Sequence, residues 1–259
     1  MEHDAQFTFI GGDRRMRWAM EEIWAAGYHI LPWPATEAQC LVLPLPAFHA
    51  ENINGGPAVT ELLPLLRPGV TVFGGLLDRY RDLLTSTGAK ILDYQQDETF
   101  TAANGEITAE GAVSLATSRL PVTLQGQAVL VCGWGRIGQL LARKLQALGA
   151  KVTVCARKER DLGLIRAMGY GAMVTGDTHG LGRFRAIFNT IPAPVYSAVE
   201  LMQAGEECLL IDLASVPGLE SSALRPVVSA TGLPGSYAPE TAGRLIGRTI
   251  LRLAEAERG

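Results

Sequence analysis

Apolar side chains come in short bursts along this chain, separated by stretches in which they recur every third or fourth position. The runs QFTFI (6–10), CLVLP (40–44), VTVFGG (70–75) and AKILDY (89–94) have the length and composition of buried strands. RRMRWAMEEIWAAG (14–27) has helical spacing closed by Gly27, and LLDRYRDLLTSTG (76–88) has it closed by Gly88. This alternation predicts a parallel sheet with crossover helices over residues 1–95, Rossmann-like or flavodoxin-like.

Residues 96–125 read differently: polar at first, then helical over 106–118, then a Pro- and Gly-containing loop, as a connector between lobes would be. A second block, 126–236, holds the strand patterns AVLVC, KVTVCA, GAMVT, RAIFNTI, ECLLIDLA and VVSATG, with helix or loop signals between them. In the closing segment, 237–259, Pro239 suits a first helical turn, and Ala242, Leu245, Ile246, Thr249, Ile250 and Leu253 form one apolar stripe. The expected fold is therefore α/β: two Rossmann-like parallel-sheet domains joined by connector helices, with an interdomain cleft at the carboxyl ends of the strands.

Composition narrows the function classes. With 47% hydrophobic and 19% charged residues, the 259-residue chain is too apolar for disorder and long enough for two cores. A net charge of −3 with scattered Arg and Lys argues against nucleic acid and toward small-molecule partners. The amino terminus has no basic region followed by an apolar stretch, and no run reaches the ~18 apolar residues of a membrane span. That predicts a cytoplasmic protein. Cys40, Cys132, Cys155 and Cys208 stand singly in apolar runs, which predicts buried thiols and no metal site. None of His3, His29, His49 and His179 falls in a catalytic pattern.

Chemistry enters at GWGRIG. Gly133, Gly135 and Gly138 follow AVLVC and open a helix with one apolar face, so Trp134, Arg136 and Ile137 fall in a turn that can carry a dinucleotide pyrophosphate. At the end of the next strand an NAD site usually presents an acid to the ribose. Here stand Ala156, Arg157 and Lys158, cations that suit a 2′-phosphate, which favours NADP over NAD. Further strand ends place Thr190, Ile191 and Pro192, and then Asp212, Ala214 and Ser215, at ligand-binding positions, with Ser215 also a candidate catalytic residue. Asp212 has two readings, a contact to nicotinamide or a cap on a neighbouring loop. Gly12, Asp13 and Arg14 begin the first helix, where a substrate carboxylate would bind, unless Asp13 is simply an N-cap. Glu110 is a candidate acid or base, or half of a salt bridge, and Thr241 a candidate substrate contact.

GWGRIGQLLARKLQALGAKVTVCAR, FNTIPAPV, IDLASVPG and GLPGSYAPETAG, with FIGGDRR and ITAEGAV before them, resemble the family of dipicolinate synthase A subunits over nearly the whole chain. The sequence departs from that family at Val216 and Glu240, where Arg and Lys are common. The resemblance implies a cytosolic sporulation enzyme that works with the flavoprotein-like B subunit of dipicolinate synthase. It implies NADP-dependent oxidation of dihydrodipicolinate, derived from a hydroxylated tetrahydrodipicolinate, to pyridine-2,6-dicarboxylate. The small dicarboxylate would be held by Arg14, Ser215 and helix-start amides; a homo-oligomer is also compatible. Two other readings share the architecture: a D-2-hydroxyacid dehydrogenase, disfavoured by Ser215 where that class needs Arg, and a non-catalytic NADP-binding subunit.

Overall fold

The computed structural model describes residues 3–257. Two compact units result: residues up to Asn104 with those from Ala238 onward, and Gly105–Tyr237.

In the first unit, apart from a short antiparallel pair, Phe48–His49 with Asn52–Ile53, the strands are β1 (His3–Phe9), β2 (Tyr28–Leu31), β3 (Cys40–Val42), β4 (Thr71–Gly74) and β5 (Lys90–Asp93), which make one sheet. They form a parallel five-stranded sheet in the order β2-β1-β3-β4-β5, the flavodoxin-like winding. Helix α1 (Arg14–Ala25) crosses between β1 and β2, burying Met16, Ala19 and Ile23. The sequence pattern did not reveal β2, because four half-buried residues at a sheet edge are too few to show a period. The helix expected over 76–88 is shorter than its pattern: a 3-10 turn at Asp78–Tyr80 leads into Arg81–Thr85. The Asp93 carboxylate accepts from the amides of Leu76 and Leu77 at 3.2 and 2.9 Å, and this clamp holds the segment's start in a turn.

The segment expected to be a polar connector is the start of a long helix, α2 (Glu98–Arg119). It begins eight positions before Glu106 because the Asp97 carboxylate accepts from the Phe100 amide at 2.7 Å, as an N-cap does. Arg252 holds the same carboxylate at 2.7 Å. The division between the units falls inside this helix, at Asn104 and Gly105. Phe100 packs in the first unit's core, whereas Ala109, Ala112 and Ala116 pack in the second's.

The second unit contains β6 (Ala128–Cys132), α3 (Arg136–Ala147), β7 (Lys151–Ala156), α4 (Glu159–Ala167), β8 (Gly171–Val174), β9 (Ala186–Asn189), β10 (Leu209–Asp212) and β11 (Val227–Ser229). All pairings are parallel, in the order β8-β7-β6-β9-β10-β11, the dinucleotide-fold winding. Helices cover both faces of such a sheet, which is why the central strand β6 reads as an unbroken apolar run: Val129, Leu130, Val131 and Cys132 are all 0% exposed. Helix α5 (Leu233–Tyr237) follows β11.

The last helix, α6 (Pro239–Ala256), lies on α1 in the first unit, where Ile246 and Ile250 join Phe7, Ile23 and Phe73. Gly243 and Gly247, one turn apart, permit that approach. A Cβ on Gly243 would sit 2.2 Å from the Arg15 carbonyl oxygen and 2.6 Å from Trp18 Cβ; one on Gly247 would sit 2.8 Å from the Ala19 carbonyl oxygen. Arg244 and Arg248 flank the contact and grip Glu22 at 2.8 and 3.1 Å. Gly243→Ala should therefore force the helices apart and lower stability by about 1–3 kcal/mol in chemical denaturation, more than its helix propensity returns.

Candidate functional site

The carboxyl end of β6 turns sharply into α3. Gly133 has φ +109°, a conformation that L side chains avoid, and its amide donates to the Cys155 carbonyl at 3.0 Å. A Cβ on Gly133 would lie 2.5 Å from Thr190 Oγ1, whose hydroxyl donates to the Cys132 carbonyl at 2.8 Å. At Gly138 a Cβ would meet the Gly133 carbonyl oxygen at 2.1 Å, so no other residue lets helix and strand end touch here. Gly135 is the opposite case: exposed, with nothing within 4 Å of its would-be Cβ. Two glycines close the turn and the third leaves space above it.

In a dinucleotide-binding fold of this winding, that is where a pyrophosphate would lie. Gly135 precedes α3 in extended conformation with no side-chain cap, and no acidic residue stands in the first turn. The first-turn amides of a helix have no intrahelical acceptors, and the dipole adds partial positive charge. Ile137 packs on the core beneath, Arg136 is exposed, and the Trp134 ring meets Tyr170 edge-on at 5.9 Å. The Trp134 carbonyl accepts from Gln139 Nε2 at 3.0 Å, bracing the turn, while its indole Nε1 is buried with no hydrogen-bond partner among the described residues.

At the end of β7, Ala156 is buried and Arg157 and Lys158 are exposed. Among the described residues neither cation makes an ion pair; the neighbouring Glu159 is engaged by Arg166 at 3.3 Å. Positive charge is thus left where the second ribose of a dinucleotide lies in this fold.

Asp212 is not free to touch a cofactor with its carboxylate, contrary to one of its two readings. It is 4% exposed, and Oδ1 accepts from Asn189 Nδ2 at 2.9 Å and the Ala214 amide at 3.0 Å. Oδ2 accepts from the amides of Gly218 and Leu219 at 2.7 and 2.8 Å. Asn189, 0% exposed, also donates to the Ile191 carbonyl and accepts from its amide, both at 3.0 Å. One buried pair shapes both loops, leaving Pro192 and Ser215 exposed at their tips. Gly218 was not singled out in the sequence, although an Asp at a strand end with Gly six residues later is a visible signal. A 470 Å³ groove beside these loops is lined by Pro194, Tyr196, Ser197 and Leu219, and contains none of the glycine-turn residues.

The start of α1 is not an open anion site. Asp13 caps it, accepting from the Arg15 amide at 2.9 Å, and its carboxylate pairs with the Arg15 guanidinium at 2.7 Å. Burial pushes the Asp13 carboxyl up, but the bonds from Arg15 outweigh it and hold the group below its ordinary value, so the cap is anionic. The Gly12 amide is spent on the Asn54 carbonyl at 2.7 Å. The donors at this helix start, amides and guanidinium alike, are thus already taken by acceptors within the chain, which corrects the expectation for Gly12 and Asp13. Arg15, not Arg14, is the buried arginine, and its guanidinium also reaches the Leu45 carbonyl. Arg14 and Thr241 are exposed.

On α2, Glu110 is exposed and its Oε1 accepts from the Tyr237 hydroxyl at 3.0 Å. Gly111 makes room for that ring: a Cβ there would lie 3.2 Å from Tyr237 Cβ and Cγ. Among the described residues no cluster of His, Cys, Asp and Glu is placed to hold a metal, and no helix is long and apolar enough to cross a membrane.

Residues 98–179 match the family model described as "D-isomer specific 2-hydroxyacid dehydrogenase, NAD binding domain", which indicates a nicotinamide cofactor. The chain is 28% identical over 244 residues to the A subunit of dipicolinate synthase from Bacillus subtilis (strain 168), covering 87% of this chain and 82% of that one. The solved structure of the dipicolinate synthase A subunit from Bacillus halodurans superposes with a TM-score of 0.86 at 25% identity, covering 98% of both chains. Its Bacillus subtilis counterpart gives the same TM-score at 24% identity, covering 100% of this chain and 98% of that one. The resemblance to the dipicolinate synthase A subunit thus holds in sequence and in fold.

The glycine turn makes two substitutions diverge. Gly138→Ala should unfold the turn and lower the melting temperature. Gly135→Ala, whose methyl enters open space, should leave melting unchanged yet weaken binding of a nicotinamide dinucleotide at least about tenfold by calorimetry.

Proposed function

We propose that this chain is the nicotinamide-dependent subunit of a dipicolinate-forming enzyme, oxidising dihydrodipicolinate to pyridine-2,6-dicarboxylate with NADP. The observation that carries the reading is the likeness to the dipicolinate synthase A subunit along 87% of the chain, with the glycine turn inside residues 98–179, which match the NAD binding domain model. The relatives' name implies a second subunit, which we infer to be the flavoprotein-like B subunit. We place the activity in the cytoplasm of a sporulating cell.

The residues suit the task. A dihydropyridine becomes aromatic on losing two hydrogens, a strongly favourable step, so the protein has mainly to align rings, exclude side reactions and receive one proton. When bound, the nicotinamide supplies the hydride acceptor. Backbone amides at the start of α3, Gly135 and Ile137 would hold the pyrophosphate, with Trp134, Arg136 and Gly138 shaping the turn. Thr190, Ile191, Pro192 and Ala214 would border the rest of the cofactor. Arg157 and Lys158 would take the 2′-phosphate. Ser215 and Arg14, both exposed, are proposed contacts for substrate carboxylates, with Thr241.

The 2-hydroxyacid dehydrogenase alternative is favoured by the match over residues 98–179, but the loop after β10, LASVPG, has no Arg to polarise a substrate carbonyl.

The test is to supply freshly generated dihydrodipicolinate and NADP⁺ to the chain, alone and with the B subunit. Dipicolinate absorbance should rise with that of reduced cofactor; binding of NADP⁺ without product in either setting supports a non-catalytic role instead. Replacing Arg157 and Lys158 by Ala should weaken NADP⁺ by about 100-fold, the loss of two charged hydrogen-bond partners, with much less effect on NAD⁺. Equal losses for both cofactors contradict the phosphate assignment.

A further inference from the structure

In the second unit the Tyr237 hydroxyl and the Glu110 carboxylate, 3.0 Å apart, form a bonded pair of proton-transfer groups that the cofactor cradle does not use. We propose that Tyr237 is a positioning residue, holding Glu110 so that one carboxylate oxygen is free to receive the proton released as the dihydropyridine ring becomes aromatic. This rests on the oxidation proposed above and adds to it the residue that sets the base.

Placement supports it. Parallel sheets bind their ligands at the carboxyl ends of the strands. Gly105 on α2 packs against Arg136, the first residue of α3, which follows the carboxyl end of β6. Six residues on, Gly111 packs against Tyr237 at the end of α5, which follows the carboxyl end of β11. The stretch 105–111 therefore runs along the ligand-binding rim of this sheet, and Glu110 lies on it. The opposite side of the helix, Ala109, Ala112 and Ala116, is 0% exposed and anchors the stretch in the core.

Orientation supports it as well. Tyr237 bonds Oε1, and Oε2 has no hydrogen-bond partner among the described residues. The bond to Glu110, together with partial burial, pushes the Tyr237 hydroxyl above its ordinary value, so at neutral pH it remains a donor. The other charged groups near this part of α2 are already paired: Glu106, one turn earlier, is held by Lys144 at 2.6 Å and by Arg143 at 3.6 Å. Gly111 has a reason in this arrangement, since a side chain there would press on the tyrosine ring. The balance is complete: one C–H bond of the dihydropyridine gives hydride to NADP⁺, and a second gives its proton to Glu110 Oε2 while its electron pair completes the ring.

Tyr237→Phe keeps the ring over Gly111 and deletes only the hydroxyl, so the fold should be retained. In the full chain with ¹³C-labelled glutamate, the Glu110 carboxyl resonance, assigned through Glu110→Gln, should change its chemical shift at neutral pH in Tyr237→Phe, as the hydrogen bond is lost. In turnover, Tyr237→Phe should lower kcat about tenfold or more with KM and NADP⁺ affinity unchanged. Glu110→Gln should lower kcat at least about 100-fold. An unshifted carboxyl resonance, or wild-type rates in Tyr237→Phe, overturns this proposal while leaving the oxidation intact. Absence of turnover in the wild type overturns the oxidation, and the pair's part in it, whatever the resonance shows.

Discussion

The second unit depends on a contact with no side chain in it: the Gly133 carbonyl oxygen lies where a Cβ on Gly138 would be, at 2.1 Å. Backbone touches backbone because both residues are glycine, and α3 can therefore start directly above the end of β6. Helix dipole, free first-turn amides and the open space over Gly135 all follow from that closeness. Thr190 locks the turn from below through the Cys132 carbonyl.

A second constraint acts one strand further along the sheet. The buried Asp212 and Asn189 satisfy each other and the amides of two loops, fixing where those loops leave the sheet. A buried carboxylate with so many donors is costly to disturb, because each orphaned amide costs about 1–3 kcal/mol. Its role is to shape the loops that border the cradle. The same logic applies at the start of α1, where Asp13 and Arg15 neutralise each other and close a helix end that would otherwise invite an anion.

Much of this was legible in the sequence because the information is local. Gly133, Gly135 and Gly138 reveal their turn through spacing, and the strands of the second sheet show as short apolar runs, unbroken at the central β6 that helices cover on both faces. The basic end of β7 was equally plain. What could not be read depended on partners distant in the chain. Asp97 begins α2 with Arg252 as its partner, 155 residues away. Asp13 turns an apparent anion site into a cap only when the side chain of Arg15 is seen to fold back. Tyr237 meets Glu110 across 127 residues, and no periodicity encodes that pairing. The edge strand β2 and the truncated helix after β4 were lost for the related reason that short elements take their form from neighbours.

The central claim is that the turn from β6 into α3 and the cationic end of β7 together hold one NADP molecule. Amide hydrogen exchange of the full chain, with and without NADP⁺, tests it most directly. The account predicts slowed exchange confined to Gly135–Gly138, Arg157 and Lys158, and the loops after Asn189 and Asp212. Unchanged exchange at the glycine turn under saturating NADP⁺, or protection centred on the start of α1, would contradict it.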